Sequence, residues 1–441
     1  MDFVSQFEHT LEQTINRGLL AEAEQLLSAF KTTGLGYTRK LYALINLLRR
    51  MEAPFDLPMT PAAPEHPYRI VIFRTGNYIL DYIAERFSSF FKGQGCSILF
   101  FDPADYADST QKFFTFTKDG TDAAFFFNNV GLSQTFEDGS SLWESLNIPC
   151  YDFLVDHPMY YADSLDNPPC NTTLLCADRT HTEYVRRFYT QIKNVLFLPT
   201  GGCRDFFPVT DWNKRDIDVL FIGSYKYHAS YTEDELDRQI IAYLSENTTQ
   251  TFEQAVEYCA GKLHISDTPL KTLIESHRFT ETNLTALYRK AIMEDLVSAG
   301  ITVHVYGNGW EQSGLQNHNN FILHSPVSFE EGIRLMSHAK ILLNHMAWFK
   351  DGSSERIFNA MMQGALCITD SSRYLDTILS DGINCCIYQL KDCRSAPLSR
   401  TVKMLLSSPE KAEKIASYGQ KTAMEHTWEK HLLLMAEPTA V

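Results

Sequence analysis

The chain has no long apolar run, no group of residues at metal-ligand spacing and no block of positive charge, and each absence removes a class of function. No stretch reaches the roughly 20 apolar residues that a membrane span requires. The N-terminus, MDFVSQFEHTLEQTINRGLL, has acidic residues early and lacks the apolar centre of a secretory leader. Neither a CxxC pair nor an HExxH helix occurs, and the 10 cysteines follow no repeating spacing, so no metal is expected. Cysteines scattered in this way read as reduced, mostly buried thiols of a cytoplasmic protein. Walker and GxGxxG loops are also missing. Lysine and arginine number 39 against 54 aspartates and glutamates, a formal net charge of −15 with no basic run. That balance argues against nucleic acid or an anionic membrane as the main partner.

What is present is the composition of a globular protein, 44% hydrophobic and 21% charged, over 441 residues that suffice for two or three domains. Apolar positions at three- and four-residue spacing, from Leu11, Ile15 and Leu19 to Leu26, Leu27 and Phe30, predict two or three short helices. A Pro-rich linker follows, closing an N-terminal segment at 1–64. From Tyr68 apolar runs (YRIVIF, CSILFFD, DAAFFF, IPCYDFLV, NTTLLCAD, NVLFLP) alternate with helical patterns. Continuously apolar strands alternating with helices predict a parallel sheet covered on both faces, an α/β domain over 65–210. The same alternation recurs over 211–408 (RDIDVLFIGSY, ITVHVYGNGW, NFILHSPV, AKILLNHM, ALCITD, NCCIYQL), interrupted by a mainly helical insertion at about 233–299. A helical tail, 409–441, completes the chain. The fold class is therefore α/β, two Rossmann-like doubly wound domains with a ligand cleft at their strand C-termini.

The sharpest segment is DGSSERIFNAMMQGALCITD, from Asp351 to Asp370. Gly352, Ser353 and Ser354 form a small loop that leads into a helix, and Ser353 or Ser354 is expected to cap it. Free N–H groups in the first turn of such a helix favour a diphosphate, and the Arg356 guanidinium adds donors suited to phosphate oxygens. The competing reading is a capped helix of any α/β domain.

This segment, with DVLFIGSY, VHVYGNGW and EHTWEKH in order, resembles the donor domain of GT-B-fold glycosyltransferases of the spore-maturation type and the wider glycosyltransferase group 1 family. The resemblance covers nearly all of 215–435. It implies a sugar transfer from a UDP- or GDP-type nucleotide sugar to an acceptor, without metal or cofactor, and leans toward retention at the anomeric carbon. The acceptor, whether protein, polysaccharide or metabolite, is not identified. Residue by residue, it implies that Gly223 and Ser224 approach the diphosphate and that Lys226 neutralises its charge. Asn308 and Gly309 would line the cleft, Pro326 and Val327 would border the nucleobase, and Ser353, Ser354 and Arg356 would hold phosphates and sugar. One departure stands out. Relatives carry two glutamates eight positions apart where this chain has Asp351 and Asn359, with Glu355 a possible substitute from the preceding turn.

The first domain resembles the family only weakly, through VDHP and LCADRTHTEYVRRFY. Asp156 and His157 end an apolar strand and admit three readings: a base for the acceptor hydroxyl, an aspartate that orients the imidazole, or caps of the turn before Pro158. In RTGNY, Gly76 and Asn77 are candidate contacts to acceptor or phosphate. Asp216-Ile-Asp218, a DxD triplet, sits at a strand entrance and reads as structural, and His426 reads as a packing residue. Rival readings are a non-catalytic homologue serving as partner or scaffold, a sugar-nucleotide epimerase, and a phosphorylase.

Overall fold

The computed structural model describes residues 2–55, 67–203, 211–392 and 398–434. The expected Pro-rich linker lies largely in 56–66, outside the described residues. The chain divides into two compact units, the first made of residues up to 176, 184–196 and 432 onward, the second of 177–183 and 197–431.

The first unit opens with helices α1 (Phe3–Asn16), α2 (Leu20–Lys31) and α3 (Arg39–Glu52). Asp2 and Thr38 accept backbone N–H groups at the starts of α1 and α3, which satisfies donors that a helix start leaves bare. The apolar stripes meet in a small core of Leu11, Ile15, Leu27, Phe30, Leu41 and Leu48. Two polar anchors fix α3 to the α/β part of the unit. Buried Asn46 donates to Leu146 O and accepts from Thr121 N, and Arg49 makes a two-pronged contact with Asp122 at 2.7 and 3.1 Å. Asp122 also accepts the N–H of Arg69, so a single carboxylate joins α3 to the first strand.

That α/β part runs β1 (Arg69–Phe73), α4 (Tyr78–Gly93), β2 (Ser97–Phe101), α5 (Tyr106–Thr117), β3 (Ala123–Phe127), α6 (Leu142–Ser145), β4 (Cys150–Leu154), α7 (Ala162–Asp166), β5 (Thr172–Cys176), α8 (Arg179–Phe188) and β6 (Asn194–Phe197). The sheet order is β2-β1-β3-β4-β5-β6, with the pairs from β2 to β5 all parallel. Its two faces are lined largely by aromatics. Phe125 stacks on Tyr151 toward α4, and Phe73, Phe126 and Trp143 meet on the other side. Each such ring contributes about 1.5–3 kcal/mol by leaving water, plus an edge or stacking term.

The second unit holds β7 (Ile217–Ile222), α9 (Glu235–Glu246), α10 (Phe252–Lys262), α11 (Leu270–Ser276), α12 (Arg278–Ser298), β8 (Val303–Tyr306), β9 (Phe321–His324), α13 (Phe329–His338), β10 (Ala339–Leu343), α14 (Glu355–Met362), β11 (Leu366–Thr369), β12 (Cys386–Ile387), α15 (Leu398–Leu406) and α16 (Pro409–Ala423). A last helix, α17 (Trp428–Leu434), runs past the division at 431. The order β12-β11-β10-β7-β8-β9 is again wholly parallel. Buried Arg215 donates to the carbonyls of Met336, Ala339 and Gln363, satisfying acceptors left by the ends of α13 and α14.

Both sheets are doubly wound, as the alternation of apolar runs and helical patterns implies. Two local expectations need correcting. NCCIYQL pairs over only two residues. The tail is two helices, and the chain between them runs beside Gly202, whose N–H donates to His426 O at 2.8 Å and whose carbonyl accepts Trp428 N–H at 3.1 Å.

Candidate functional site

In a doubly wound sheet the strands on either side of the order reversal send their loops apart, leaving a crevice at the C-terminal edge. In the second unit the reversal lies between β7 and β10, and the loops concerned begin at Gly223 and Asn344. The β7 loop is held by backbone proximity. Gly223 N donates to Tyr306 O, and Trp310 Nε1 donates to Gly223 O at 2.8 Å. A Cβ on Gly307 would stand 2.2 Å from Gly223 O, and one on Gly309, which has φ +82, would stand 2.2 Å from Tyr225 O. The glycines of VHVYGNGW therefore serve the packing of two loops against each other.

Two arginines converge on this loop. Arg356, in the first turn of α14, donates to Ile222 O at 2.8 Å and to Ser354 Oγ at 3.2 Å. Arg289, from the middle of α12, donates to Ser224 O and lies over the faces of Trp348 and Phe221. It is buried, its Nε has no partner, and among the described residues no carboxylate forms an ion pair with it, although the charge of Asp370 acts in its favour. Burial, with the charge of Arg356 adding, pulls its pKa down to about 9. Half-buried Lys350 is lowered by burial as well. His345, fully buried after β10, is held well below its usual pKa by burial and by Arg289, Arg356 and Lys350, and so stays neutral. Tyr388 donates to Asn344 O, so its hydroxyl accepts the His345 Nδ1–H, and His345 Nε2 is left as a buried acceptor without a partner. Asn344 Oδ1 and Asp370 Oδ2 are likewise buried and unmatched, and burial raises Asp370 to about 6.

The start of α14 differs from expectation. Neither serine caps it: Ser353 exchanges hydrogen bonds with Thr200, and the Ser354 hydroxyl serves Arg356. The first-turn N–H groups are thus left without a side-chain acceptor. The preceding loop is clasped by Asp178, whose carboxylate accepts from Lys350 N, Asp351 N, Thr180 N and Thr180 Oγ1, all within 2.8 Å. Asp351 pairs with Arg179 and Arg373, and Glu355 lies beside Ser354 and Arg356. Buried Asn359 gives its carbonyl oxygen to Cys203 N at 2.9 Å and keeps an unmatched Nδ2. Lys226, Asn308 and Pro326 are exposed, Asn308 N donating to Ser224 Oγ, and Val327 packs against the core that includes Leu220, Ile333 and Leu342. Asp216 and Asp218 face His338 and Lys340, and His426 stacks on Phe358. Asp234, Asp237 and His277 approach one another closely, but Asp237 already accepts from Tyr231, Thr280 and Asp234 N, and Asp234 caps α9.

In the first unit Asp156 and His157 turn to different partners. Asp156 accepts from Asn128 Nδ2 and Tyr161 OH, both at 3.0 Å, and does not orient the imidazole. His157 caps the turn at Pro158–Tyr161, its Nδ1 accepting Met159 N–H at 3.1 Å. The neutral ring then carries its proton on Nε2, the state of a donor rather than of a base. Asn77 caps α4 through Ile79 N and Leu80 N, and Gly76 has φ +75. Sequence reasoning missed Arg289, His345 and Asp178; the only signal available was position, since the last two sit just after apolar strands.

Comparison with known proteins follows these lines. Residues 288–436, about a third of the chain, match the family model described as glycosyl transferase-like. Similar solved structures include sucrose-phosphate synthase from Thermosynechococcus elongatus, 11% identical over 84% of this chain and 97% of that one, with a TM-score of 0.48. A glycosyltransferase from Rickettsia africae is 9% identical over 83% and 96%, with a TM-score of 0.45. Anabaena HepE in complex with UDP and glucose is 9% identical over 84% and 98%, with a TM-score of 0.42. No curated protein sequence matches the chain. Among the described residues, no helix is long and apolar enough to cross a membrane.

Proposed function

We propose that the chain is a glycosyltransferase that uses a nucleoside-diphosphate sugar, of the UDP or GDP type, and that the second unit holds the donor. One observation carries this reading: Arg289 is buried at the β7/β10 reversal beside Arg356, with an unmatched Nε and, among the described residues, no carboxylate in ion-pair contact. A buried, uncompensated guanidinium is costly unless an anion completes it. A diphosphate supplies that charge, and the uncapped start of α14 supplies further N–H donors along it. The glycosyl transferase-like match over 288–436 includes both arginines.

On this reading Arg289, Arg356 and the α14 N–H groups stabilise the departing diphosphate as its charge grows, the part a divalent ion plays in other transferases. Metal independence is accordingly part of the proposal. Asn359 gives its carbonyl oxygen to Cys203, so ribose hydroxyls would be met by Glu355 or by the Asn359 amide. The proposed course is retention at the anomeric carbon, which needs no acceptor base.

The test is a panel of radiolabelled nucleotide sugars, scored for hydrolysis or transfer, beside calorimetric titration with UDP and GDP. Binding of one diphosphate and release of its sugar are expected, with turnover in excess EDTA within about a factor of two, well below the tenfold that about 1.4 kcal/mol represents. Absence of both binding and turnover would remove the proposal. Turnover abolished by EDTA and restored by manganese would remove only its metal-independent form.

A further inference from the structure

The helical insertion of the second unit holds a histidine whose contacts balance in neither neutral form. His277 stands between α11 and α12 and is buried. Its Nδ1 lies 2.8 Å from Leu273 O, and its Nε2 lies 3.2 Å from Asp234 Oδ2. A carbonyl and a carboxylate can only accept, and a neutral imidazole has a single N–H. Either tautomer therefore leaves a ring lone pair facing an oxygen lone pair. Ser276 Oγ, 3.0 Å from Nδ1, does not relieve this, because Leu273 O is closer and stays in contact. A ring protonated at both nitrogens satisfies both contacts at once. We infer that His277 and Asp234 form a proton-dependent clamp, which fastens the start of α9 to the junction of α11 and α12 and lets go when His277 gives up its second ring proton.

The clamp has a defined place in the insertion. Asp234 caps α9: its Oδ1 accepts Asp237 N–H at 2.9 Å, and Asp237 in return accepts Asp234 N–H at 2.9 Å. Oδ2 is thus the oxygen left for the imidazole. Burial pushes the Asp234 carboxyl up, but the Asp237 N–H and His277 outweigh it and hold it below its ordinary value, so it is a carboxylate. Thr280 in α12 and Tyr231 also donate to Asp237, so the charged contact works beside neutral ones that persist without it. Just beyond the other end of α9, Thr248 O accepts Lys350 Nζ at 2.7 Å, so the clamped helix leads into the segment that holds the loop before α14.

The neighbouring charges are engaged with one another. Arg238 pairs with Glu235, Lys271 pairs with Glu275, and Arg278 donates to Glu275 O. Glu233 precedes Asp234, and Glu281 lies in the first turn of α12. Burial, with Asp237 and Asp234 adding, pushes Tyr231 up to about 12. His228, stacked on Phe279, is held below its ordinary value by burial, Lys226 and Arg278. Histidine is the side chain whose ordinary chemistry changes charge between about pH 5 and 8, which makes the clamp responsive in that range.

The experiment uses the full chain, with NMR of ¹⁵N-labelled imidazoles and amide hydrogen exchange over the first turn of α9, both followed between about pH 5 and 8. His277 is expected to carry both ring protons at the acid end. Protection of that turn, corrected for intrinsic exchange, should fall as the second proton leaves, by up to about tenfold per pH unit for a single proton. Asp234→Asn keeps the cap through its remaining oxygen and presents an N–H to Nε2, so a neutral His277 is satisfied and protection should become independent of pH. Should that variant fail to fold, ring protonation and protection in the parent decide alone. A single ring proton on His277 throughout the range, protection in the parent that does not vary with pH, or the same slope in parent and Asp234→Asn overturns the inference. So does zinc binding that abolishes the slope in the parent, because a cation between Nε2 and the two carboxylates, rather than a proton, would then complete the contacts.

Discussion

The polar atoms left over at the two sheet reversals are alike in part and differ in one group. Beside β7 and β10 a carboxyl raised to about 6, Asp370, and the Asn344 amide are unmatched together with the Nε of Arg289, which has a second guanidinium nearby. Beside β3 and β4 the unmatched atoms belong to Asp152 and Asn129, a carboxyl raised to about 7 and an amide, with no guanidinium among them. The same topological device, a crevice where strand order turns, carries an unmatched carboxyl and amide in both units and a buried arginine in one. Architecture supplies the place, and the side chains that burial leaves unsatisfied decide what belongs there.

The largest expected difference between the two places is in nucleotide affinity. Arg289→Met should weaken UDP or GDP binding by roughly 10- to 150-fold, the equivalent of one charge-assisted contact of about 1.5–3 kcal/mol. The same variant should melt no lower than the parent without ligand, because it removes a buried charge that no ion pair compensates among the described residues. A lower melting temperature with unchanged nucleotide affinity would show that Arg289 is scaffolding for the Ser224 loop. Next comes Asp178→Ala, which strands Lys350 N, Asp351 N and Thr180 N together and should cost about 3 kcal/mol or more of stability. Asp178→Asn can still accept through its remaining oxygen and should recover part of both stability and nucleotide affinity.

His157 sharpens the comparison from the other unit. As a cap it should cost about 0.5–2 kcal/mol on replacement by alanine, with turnover per folded molecule little changed. A loss of roughly 10²–10⁴ in well-folded His157→Ala would instead make it a base and require its ring to change tautomer. The smallest expected effect is on pH dependence. Asp152 has its folded pKa raised above the unfolded value near 3.9, so the folded state binds the proton more tightly. Stability should therefore fall as pH rises from about 4 to about 7 and level off above, and Asp152→Asn should flatten that decline. Denaturant midpoints across this range read it directly, and an unchanged slope in the variant would show that Asp152 does not titrate as its burial implies.

Much of this molecule could be read from its residues in order. Apolar runs such as AAFFF and IDVLFI, alternating with amphipathic segments, predict the strands found, because a strand buried on both faces needs little beyond its own composition. The loop-to-helix junction at 352–356 was also legible, since glycine, serine and arginine at that spacing are a local signal. Its detail was not: which serine caps, and whether any does, depends on Thr200, about 150 residues away, competing for Ser353.

Arg289 shows the limit most clearly. Within RFTETNLTALYRKAIMEDLVS it reads as one more basic residue on a long helix, beside Lys290, and nothing local separates the two. The difference arises when α12 brings Arg289 to Ser224 and Trp348, while Lys290 is placed to meet Glu294. The chain sequence thus determined the elements, their alternation and the chemistry available at each loop. Strand order, and with it the crevices, the buried guanidinium and the stranded Asp152 and Asn129, was decided only in the tertiary structure, because desolvation sums over neighbours that are remote in sequence.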